Sequence, residues 1–105
     1  MPTLPTCGVA MREKQVEQAL VKAVKARGGI CPKFVSPGLS GVPDRLVLMP
    51  NGKIAFVEVK APKKKPRALQ LYRMKQLTDL GFKCFVLDEV EQIPALIGEI
   101  GGGDA

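Results

Sequence analysis

The sequence predicts an α/β domain in which helices flank a mixed four-stranded sheet, in the order α-β-β-β-α-β-α. Three observations support this fold class. Apolar residues recur at helical spacing in three segments, short apolar runs of strand length lie between these segments, and Asn51-Gly52 separates two of the runs as in a tight hairpin. With 105 residues and 46% hydrophobic content, the chain suits one globular domain.

The first helix is predicted over 11–27, where apolar residues follow helical spacing up to a pair of glycines. Residues 1–10 lack this periodicity, so we expect a flexible N-terminal arm before a folded domain over 11–100. A first strand is predicted over 30–35. Pro32 indicates an edge position for this strand, because proline cannot donate a hydrogen bond to a neighbouring strand.

The middle of the chain predicts a β-hairpin with strands over 45–49 and 54–59. A basic connector follows, and then a second helix over 67–80 that ends at a glycine. The apolar residues of this helix are expected to face the sheet. They are Leu69, Tyr72, Met74, Leu77 and Leu80.

A short apolar strand over 83–87 follows the second helix. Because a helical crossover leads to it, we expect it to pair in parallel with the second strand of the hairpin. A third helix is predicted over 90–100, with Pro94 tolerated only in its first turn. The glycine-rich tail over 101–105 is expected to be disordered.

Asp44 and Glu58 stand at the two ends of the predicted hairpin, which returns the second acid to the neighbourhood of the first. Because side chains alternate along a strand, Glu58 and Lys60 project from one face. Charged groups are rarely buried unless they are paired or bind a metal ion. Two acids and a lysine suit metal-assisted phosphodiester cleavage. The alternative interpretations are an edge strand with one solvated face, or a structural Glu58–Lys60 pair.

The register of the hairpin decides whether the two acids can meet. A strict two-residue turn at Asn51-Gly52 would place Asp44 opposite Val59, and would send the carboxylates of Asp44 and Glu58 to opposite faces of the sheet. Both can reach one cation only if a three-residue loop, a bulge or a kink just before the first acid changes this register. We predict such an irregularity.

The absence of histidine excludes several classes of enzyme. Serine–histidine and cysteine–histidine catalysis, HNH-type nucleases and histidine-ligated metal sites all need an imidazole. Oxygen ligands remain, and they suit Mg²⁺ or Mn²⁺. Cys7, Cys31 and Cys84 are too widely spaced for a zinc or disulfide framework, and the last two lie in apolar runs where we expect them to be buried.

The net charge of +6 favours a polyanionic partner, since basic residues that neutralise phosphates release counterions. Seven basic residues and no acid lie between Lys60 and Lys75, directly after the candidate site. We interpret this run as a track for a phosphate backbone, with a solvated loop and helix face as the alternative. No membrane-spanning stretch or signal-peptide pattern is present, so we expect a cytoplasmic location and no membrane partner.

These motifs, in this order, resemble the VRR-NUC domain of the PD-(D/E)XK nuclease superfamily, in its stand-alone phage or bacterial form. The resemblance covers roughly 12–100 and implies a restriction-endonuclease-like core. Its elements are an acidic first helix, a Ser-Pro-Gly-Leu-Ser-Gly loop before Val42-Pro43-Asp44, the strand with Glu58-Val59-Lys60, Gln70 at the start of the second helix, and Gly81-Phe82 before the last strand.

The resemblance implies a Mg²⁺- or Mn²⁺-dependent endodeoxyribonuclease that hydrolyses phosphodiester bonds in branched DNA, such as four-way (Holliday) junctions, in DNA repair, recombination or phage-type replication. Cutting two strands symmetrically requires two sites, so a homodimer is also implied. Two alternatives stay open. One is a non-catalytic nucleic-acid-binding module, and the other is a nuclease subunit that depends on a partner helicase.

Asp44, Glu58 and the backbone carbonyl of Val59 are the expected metal ligands. Lys60 is expected to position the attacking water or to contact the scissile phosphate. The resemblance adds Gln70, which would orient the water or the lysine, although a polar residue in a first helical turn is equally consistent with a structural role. These residues form the candidate catalytic centre on which the predicted activity depends.

The resemblance also adds an acid from the first helix to the catalytic residues. Glu17 is our choice for it and Glu13 is the close alternative, whereas ordinary ion pairing along the helix is the competing interpretation. The loop before Asp44 is expected to lie near a phosphate backbone. The nucleic-acid-binding candidates are Lys63, Lys64, Lys65, Arg67, Arg73 and Ser40.

Overall fold

The computed structural model describes residues 8–62 and 64–101. Strands β1 and β2 pair antiparallel and β2 and β3 pair parallel, in the sheet order β1-β2-β3. The parallel pairing predicted from the crossover is therefore confirmed. In this part of the chain the elements are α1 (Gly8–Ala26), β1 (Arg45–Met49), β2 (Lys53–Val59), α2 (Ala68–Asp79), β3 (Lys83–Leu87) and α3 (Ile93–Gly101), with 3₁₀ turns at Pro50–Gly52 and Val90–Gln92.

Residues 30–34 lie antiparallel along the outer edge of β1 without forming a strand. Ile30 and Leu48 each donate a backbone N–H to the carbonyl of the other, at 3.0 and 2.9 Å, and the N–H of Leu46 donates to the carbonyl of Pro32 at 3.0 Å. Pro32 donates nothing in return, because it has no N–H. The predicted four-stranded sheet is therefore wrong: the described residues form three strands and two isolated bridges beside β1.

α1 begins at Gly8, three residues before its predicted start, and so includes residues 8–10 of the predicted arm. The rest of that arm, and residues 102–105 of the predicted tail, lie outside the described residues. Gly101, the first residue of that tail, is the last residue of α3. Among the helices that the structure describes, none is long and apolar enough to cross a membrane.

The hydrophobic core lies between the sheet and the two helices α1 and α3. Ala55, Val57 and Val59 point from β2 into this core, as the alternation of side chains along a strand requires. Apolar residues that recur at helical spacing in the two helices are buried here. They are Val16, Leu20 and Val24 in α1 and Ile93, Leu96, Ile97 and Ile100 in α3.

α2 covers the opposite face of the sheet and contacts it through an unexpected stripe. Gln70 and Met74 are buried and Leu77 is half-buried, at helical spacings of four and three residues. The predicted stripe is wrong at three of its five positions. When α2 directs Gln70 towards the sheet, the side chains at these three positions point to the solvent. The three are Leu69, Tyr72 and Leu80, which are 48%, 61% and 68% exposed.

The hairpin turn contains three residues rather than two. Met49 pairs with Lys53, so Pro50, Asn51 and Gly52 form the loop. Asn51 and Gly52 have φ values of 68° and 75°, which an asparagine and a glycine tolerate better than other residues. The predicted departure from a strict two-residue turn is confirmed.

Candidate active site

The three-residue turn brings Asp44 and Glu58 to the same face of the sheet. Arg45 pairs with Val57, and continuing this register by one residue places Asp44 opposite Glu58. Beyond the end of β1, the Asp44 carboxylate takes the place of a strand partner for β2: its Oδ1 accepts a hydrogen bond from the N–H of Val59 at 3.1 Å. The hairpin thus unites the two acids that the sequence singled out.

The two carboxylate oxygens of Glu58 have different surroundings, and the residue is only 4% exposed. Oε2 accepts a hydrogen bond from Nε2 of Gln70 at 2.8 Å and lies 3.3 Å from Nζ of Lys60. Oε1 is buried and has no hydrogen-bond partner among the described residues. Burying a carboxylate oxygen without a hydrogen-bond donor costs free energy, so this atom is suited to bind a cation.

Gln70 connects the first turn of α2 to Glu58. Its Oε1 accepts a hydrogen bond from the N–H of Arg67 at 2.9 Å, which caps the helix, while its Nε2 donates to the carboxylate. This orientation of the amide is the one that the partners require, because a backbone N–H can only donate and an ionised carboxylate can only accept. The helix cap therefore fixes the side chain that holds Glu58.

Burial raises the pKa of both acids above their ordinary values. For Glu58, the carboxylate of Asp44 raises the pKa further, and Lys60 opposes this by hydrogen bonding and by charge. For Asp44, the hydrogen bond from the backbone of Val59 opposes the effect of burial. Both carboxyl groups therefore lose their protons less readily than usual. A cation bound between them would stabilise their ionised forms.

Glu17 lies against the other face of the sheet, bound to Arg45. Its Oε2 accepts from Nε of Arg45 at 3.0 Å and lies 2.9 Å from NH2, and the same guanidinium donates to the carbonyl of Cys31 at 2.6 Å. Within the described residues, no three acidic or cysteine side chains are placed to hold one metal ion. The negative charge of Glu17 nevertheless raises the pKa of Asp44, and the active-site role of Glu17, or of the alternative Glu13, stays a prediction.

Comparison with known proteins identifies the family, although no family model matches the sequence. Over 78 residues the chain is 55% identical to "Putative nuclease p44" of Acyrthosiphon pisum secondary endosymbiont phage 1. The aligned residues make up 74% of this chain and 84% of that protein. A solved structure titled "VRR_NUC domain" superposes with a TM-score of 0.77 at 34% identity, covering 82% of this chain and 94% of the other. The chain belongs to the VRR-NUC family of nucleases.

In this VRR-NUC domain the predicted basic track begins where β2 ends. Lys64, Lys65 and Arg67 are exposed in the segment that links β2 to the first turn of α2, and Lys63 lies outside the described residues. Their side chains are thus accessible to a polyanion. This placement is consistent with a role in binding nucleic acid.

Arg73 and Ser40, two further candidates for binding DNA in the VRR-NUC domain, contact each other. Nε of Arg73 donates to the backbone carbonyl of Ser40 at 2.9 Å, and the guanidinium lies 5.4 Å from the centroid of the Tyr72 ring. Gly41 lies against α2 as well: a Cβ placed there would be 2.9 Å from the carbonyl oxygen of Leu69, and its φ is +81°. The loop before Asp44 is therefore fastened to α2.

The sequence did not reveal the role of Arg45 in the VRR-NUC domain. The only local signal was a basic residue on the core-facing side of an apolar strand, where a charge requires a partner. Cys31 is buried as predicted, and burial raises the pKa of its thiol to about 11, so it is unreactive. Cys84 is only half-buried, less than its apolar surroundings in the sequence predicted.

Proposed function

We propose that this VRR-NUC protein is a divalent-metal-dependent endonuclease that hydrolyses phosphodiester bonds in branched DNA. The observation that supports the proposal most directly concerns Oε1 of Glu58. This buried carboxylate oxygen has no hydrogen-bond donor in the described part of the chain, and Glu58 lies on the same face of the sheet as Asp44. In a chain without histidine, a site made of oxygen atoms suits Mg²⁺ or Mn²⁺.

The residues around Glu58 fit such an ion. Asp44 and Glu58 would hold it together with the backbone carbonyl of Val59. The N–H of Val59 points towards Asp44, and the N–H and C=O of one residue in an extended strand point to the same edge. When bound, a divalent cation activates water for attack and stabilises the negative charge that develops on the phosphate.

Lys60 and Gln70 would act on the substrate and on the catalytic acid. Lys60 lies on the same face as Glu58, 3.3 Å from its Oε2, and would contact the scissile phosphate or position the attacking water. Gln70 keeps Oε2 occupied through its hydrogen bond. The other oxygen, Oε1, is then the one that would bind the ion.

DNA is the proposed substrate, with four-way junctions as the branched form to test first. The exposed side chains of Lys64, Lys65 and Arg67, in the segment that links β2 to α2, support binding of a phosphate backbone. One site cuts one strand, so symmetric cleavage of a junction requires a homodimer. Exposed apolar residues on α2, Leu71 and Tyr72 among them, support a surface for the second copy.

Cleavage assays on defined DNA test the proposal. The purified protein is incubated with four-way, flapped and linear DNA in the presence of Mg²⁺, Mn²⁺ or EDTA. We expect cleavage of branched DNA with metal and none with EDTA. Asp44→Asn and Glu58→Gln preserve the shape of each side chain and should reduce the rate at least about 100-fold, while the exposed Glu91→Gln serves as the matched control.

Each other outcome has a defined meaning. Cleavage that persists in Asp44→Asn and Glu58→Gln would reject the proposed site. Binding without cleavage under every metal would favour the nucleic-acid-binding module. Cleavage that appears only after a helicase is added would favour a nuclease subunit that depends on a partner.

A further inference from the structure

A second basic surface lies on the α1 side of the molecule, away from the basic run that follows β2. It is a groove of about 470 Å³ between α1 and residues 30–34. Its charged lining consists of five basic residues and one acid, and the acid, Glu17, is already bound to Arg45. The basic residues are Lys14, Lys22, Lys25, Lys33 and Arg45.

The four lysines of this groove carry charges that no acid among the described residues neutralises. All four are exposed, and within the described residues none of them forms an ion pair or a side-chain hydrogen bond. Lys22 and Lys25 stand three residues apart on the same helix face, an arrangement of like charges that destabilises a helix. A bound polyanionic ligand would offset the repulsion between these lysines.

The dimensions of the groove suit a nucleic-acid backbone. Lys14 and Lys25 are eleven residues apart on α1, which corresponds to about 16 Å along the helix axis. The phosphates of one duplex strand advance about 3.4 Å per base pair, so the stripe spans about five base pairs. A single small anion would not need so long a row of lysines.

The groove and the basic run lie on opposite faces of the sheet and meet near Asp44. Arg45 pairs with Val57 and points to the α1 face, whereas Glu58 and Gln70 occupy the α2 face. The end of β1 that carries Asp44 thus separates two positive surfaces. DNA whose arms diverge at the cleavage point can contact both of them, whereas a short straight duplex that lies along one face cannot.

We propose that the groove lined by Lys14, Lys22, Lys25 and Lys33 binds the phosphate backbone of a second duplex arm, distinct from the arm that enters the active site. This proposal rests on the proposed nuclease function and gives a structural basis for the choice of branched over linear DNA. The contacts are to phosphates, so the groove reads the shape of the substrate and not its sequence.

Binding measurements in EDTA test the groove without relying on cleavage. Fluorescence anisotropy compares a four-way junction with a 12-base-pair duplex for the wild type, Lys22→Gln, Lys25→Gln and the double variant. Lys83→Gln is the control, because Lys83 is exposed on β3, two strands away from the groove. Thermal unfolding confirms that each variant is folded.

We expect the double variant to bind the junction roughly tenfold more weakly, with a salt dependence reduced by about two phosphate contacts. Its affinity for the short duplex, and the junction affinity of Lys83→Gln, should change less than about twofold. An equal loss on both DNAs would overturn the second arm, and an unchanged junction affinity would overturn DNA binding by the groove and point to an acidic protein instead. A wild type that binds junctions through the groove but cuts nothing would reject the nuclease and leave the groove standing.

Discussion

Among single residues, Glu58, a proposed metal ligand, has two carboxylate oxygens with different contacts. One of them contacts both Gln70 and Lys60, while the other is buried and has no donor among the described residues. An unsatisfied buried polar group costs about 1–3 kcal/mol, which is a large fraction of the roughly 5–15 kcal/mol that stabilises a typical domain. Such a cost in the free domain is expected where a ligand later offsets it.

Glu58→Gln should therefore stabilise the metal-free protein. Because burial raises the pKa of Glu58, its ionisation destabilises the folded state as the pH rises above the ordinary value of 4.5. The melting temperature of the variant should exceed that of the wild type at neutral pH, and the difference should disappear at lower pH, where the wild-type carboxyl is protonated. Differential scanning fluorimetry in EDTA across pH measures this.

The same assay with metal provides the complementary result. Millimolar Mg²⁺ or Mn²⁺ should raise the melting temperature of the wild type and leave Glu58→Gln nearly unchanged, since ligands stabilise the state that binds them. The exposed Glu91→Gln should respond like the wild type. An equal metal response in all three proteins would place the ion elsewhere.

Gln70→Glu separates the two hydrogen bonds of this residue. The new carboxylate can still accept a hydrogen bond from the N–H of Arg67 and cap α2. It replaces Nε2 of Gln70, which donates to Oε2 of Glu58 at 2.8 Å, by a second negative charge next to Glu58. Like charges raise a carboxyl pKa, so the acid limb of the pH–rate profile should move to higher pH. An unshifted profile with the same rate would show that Gln70 does not position Glu58.

At the scale of elements, the site depends on how the loop over 36–43 is fastened to α2. Arg73 holds the carbonyl of Ser40, and Gly41 approaches the backbone of Leu69 with a positive φ. The same loop leads directly into Asp44, and the same helix begins with the cap that holds Glu58 through Gln70. A movement of α2 would therefore disturb both acids together.

Gly41→Ala tests this contact and Gly38→Ala is its matched control in the same loop. Alanine at position 41 must adopt the left-handed conformation and would meet the carbonyl oxygen of Leu69, so we expect the free energy of unfolding to fall by about 1–3 kcal/mol and cleavage to slow. At position 38 there is open space, so the change should stay within about 1 kcal/mol. Urea denaturation measures the free energy of unfolding of both variants, and a cleavage assay measures their rates. Equal values for the two variants would contradict the prediction.

The sequence predicted the elements whose signals are local and missed those whose cause is tertiary. The hairpin followed from Asn51-Gly52, and the parallel pairing of β3 followed from the crossover. The orientation of α2 could not be predicted from its own apolar residues, because Gln70 turns inward to reach Glu58, twelve positions away. Likewise, Glu17 binds Arg45, twenty-eight positions away, and the spacing of residues along the sequence does not predict such a pair.

At the scale of the whole molecule, the two faces of the sheet are packed very differently. The α1–α3 side contains the continuous core, with Leu20 and Val57 fully buried. The α2 side combines the proposed site with exposed large apolar residues on and beside the helix. They are Leu69, Leu71, Tyr72, Leu80 and Phe82.

The proposed homodimer makes a prediction about this apolar surface. Leu71→Ser/Tyr72→Ser should convert a dimer into a monomer with little loss of stability, because both side chains are already more than half exposed. Val90→Ser, on the 3₁₀ turn before α3, removes an exposed apolar side chain elsewhere and should leave the dimer intact. Sedimentation equilibrium measures the mass, and a wild type that sediments as one chain would refute the dimer.

The three-residue turn between β1 and β2 also limits how the sequence of this hairpin can vary. Residues opposite each other in an antiparallel pair share a face, so the fourteen positions from Asp44 to Glu58 put both acids on one face only when the turn contains an odd number of residues. A residue inserted into one strand while the turn keeps its length would shift one acid to the other side of the sheet, whereas a residue inserted into the turn would leave the acids opposite each other. Among active relatives, the separation of the two acids should therefore be even where the turn has an odd number of residues and odd where the turn has an even number.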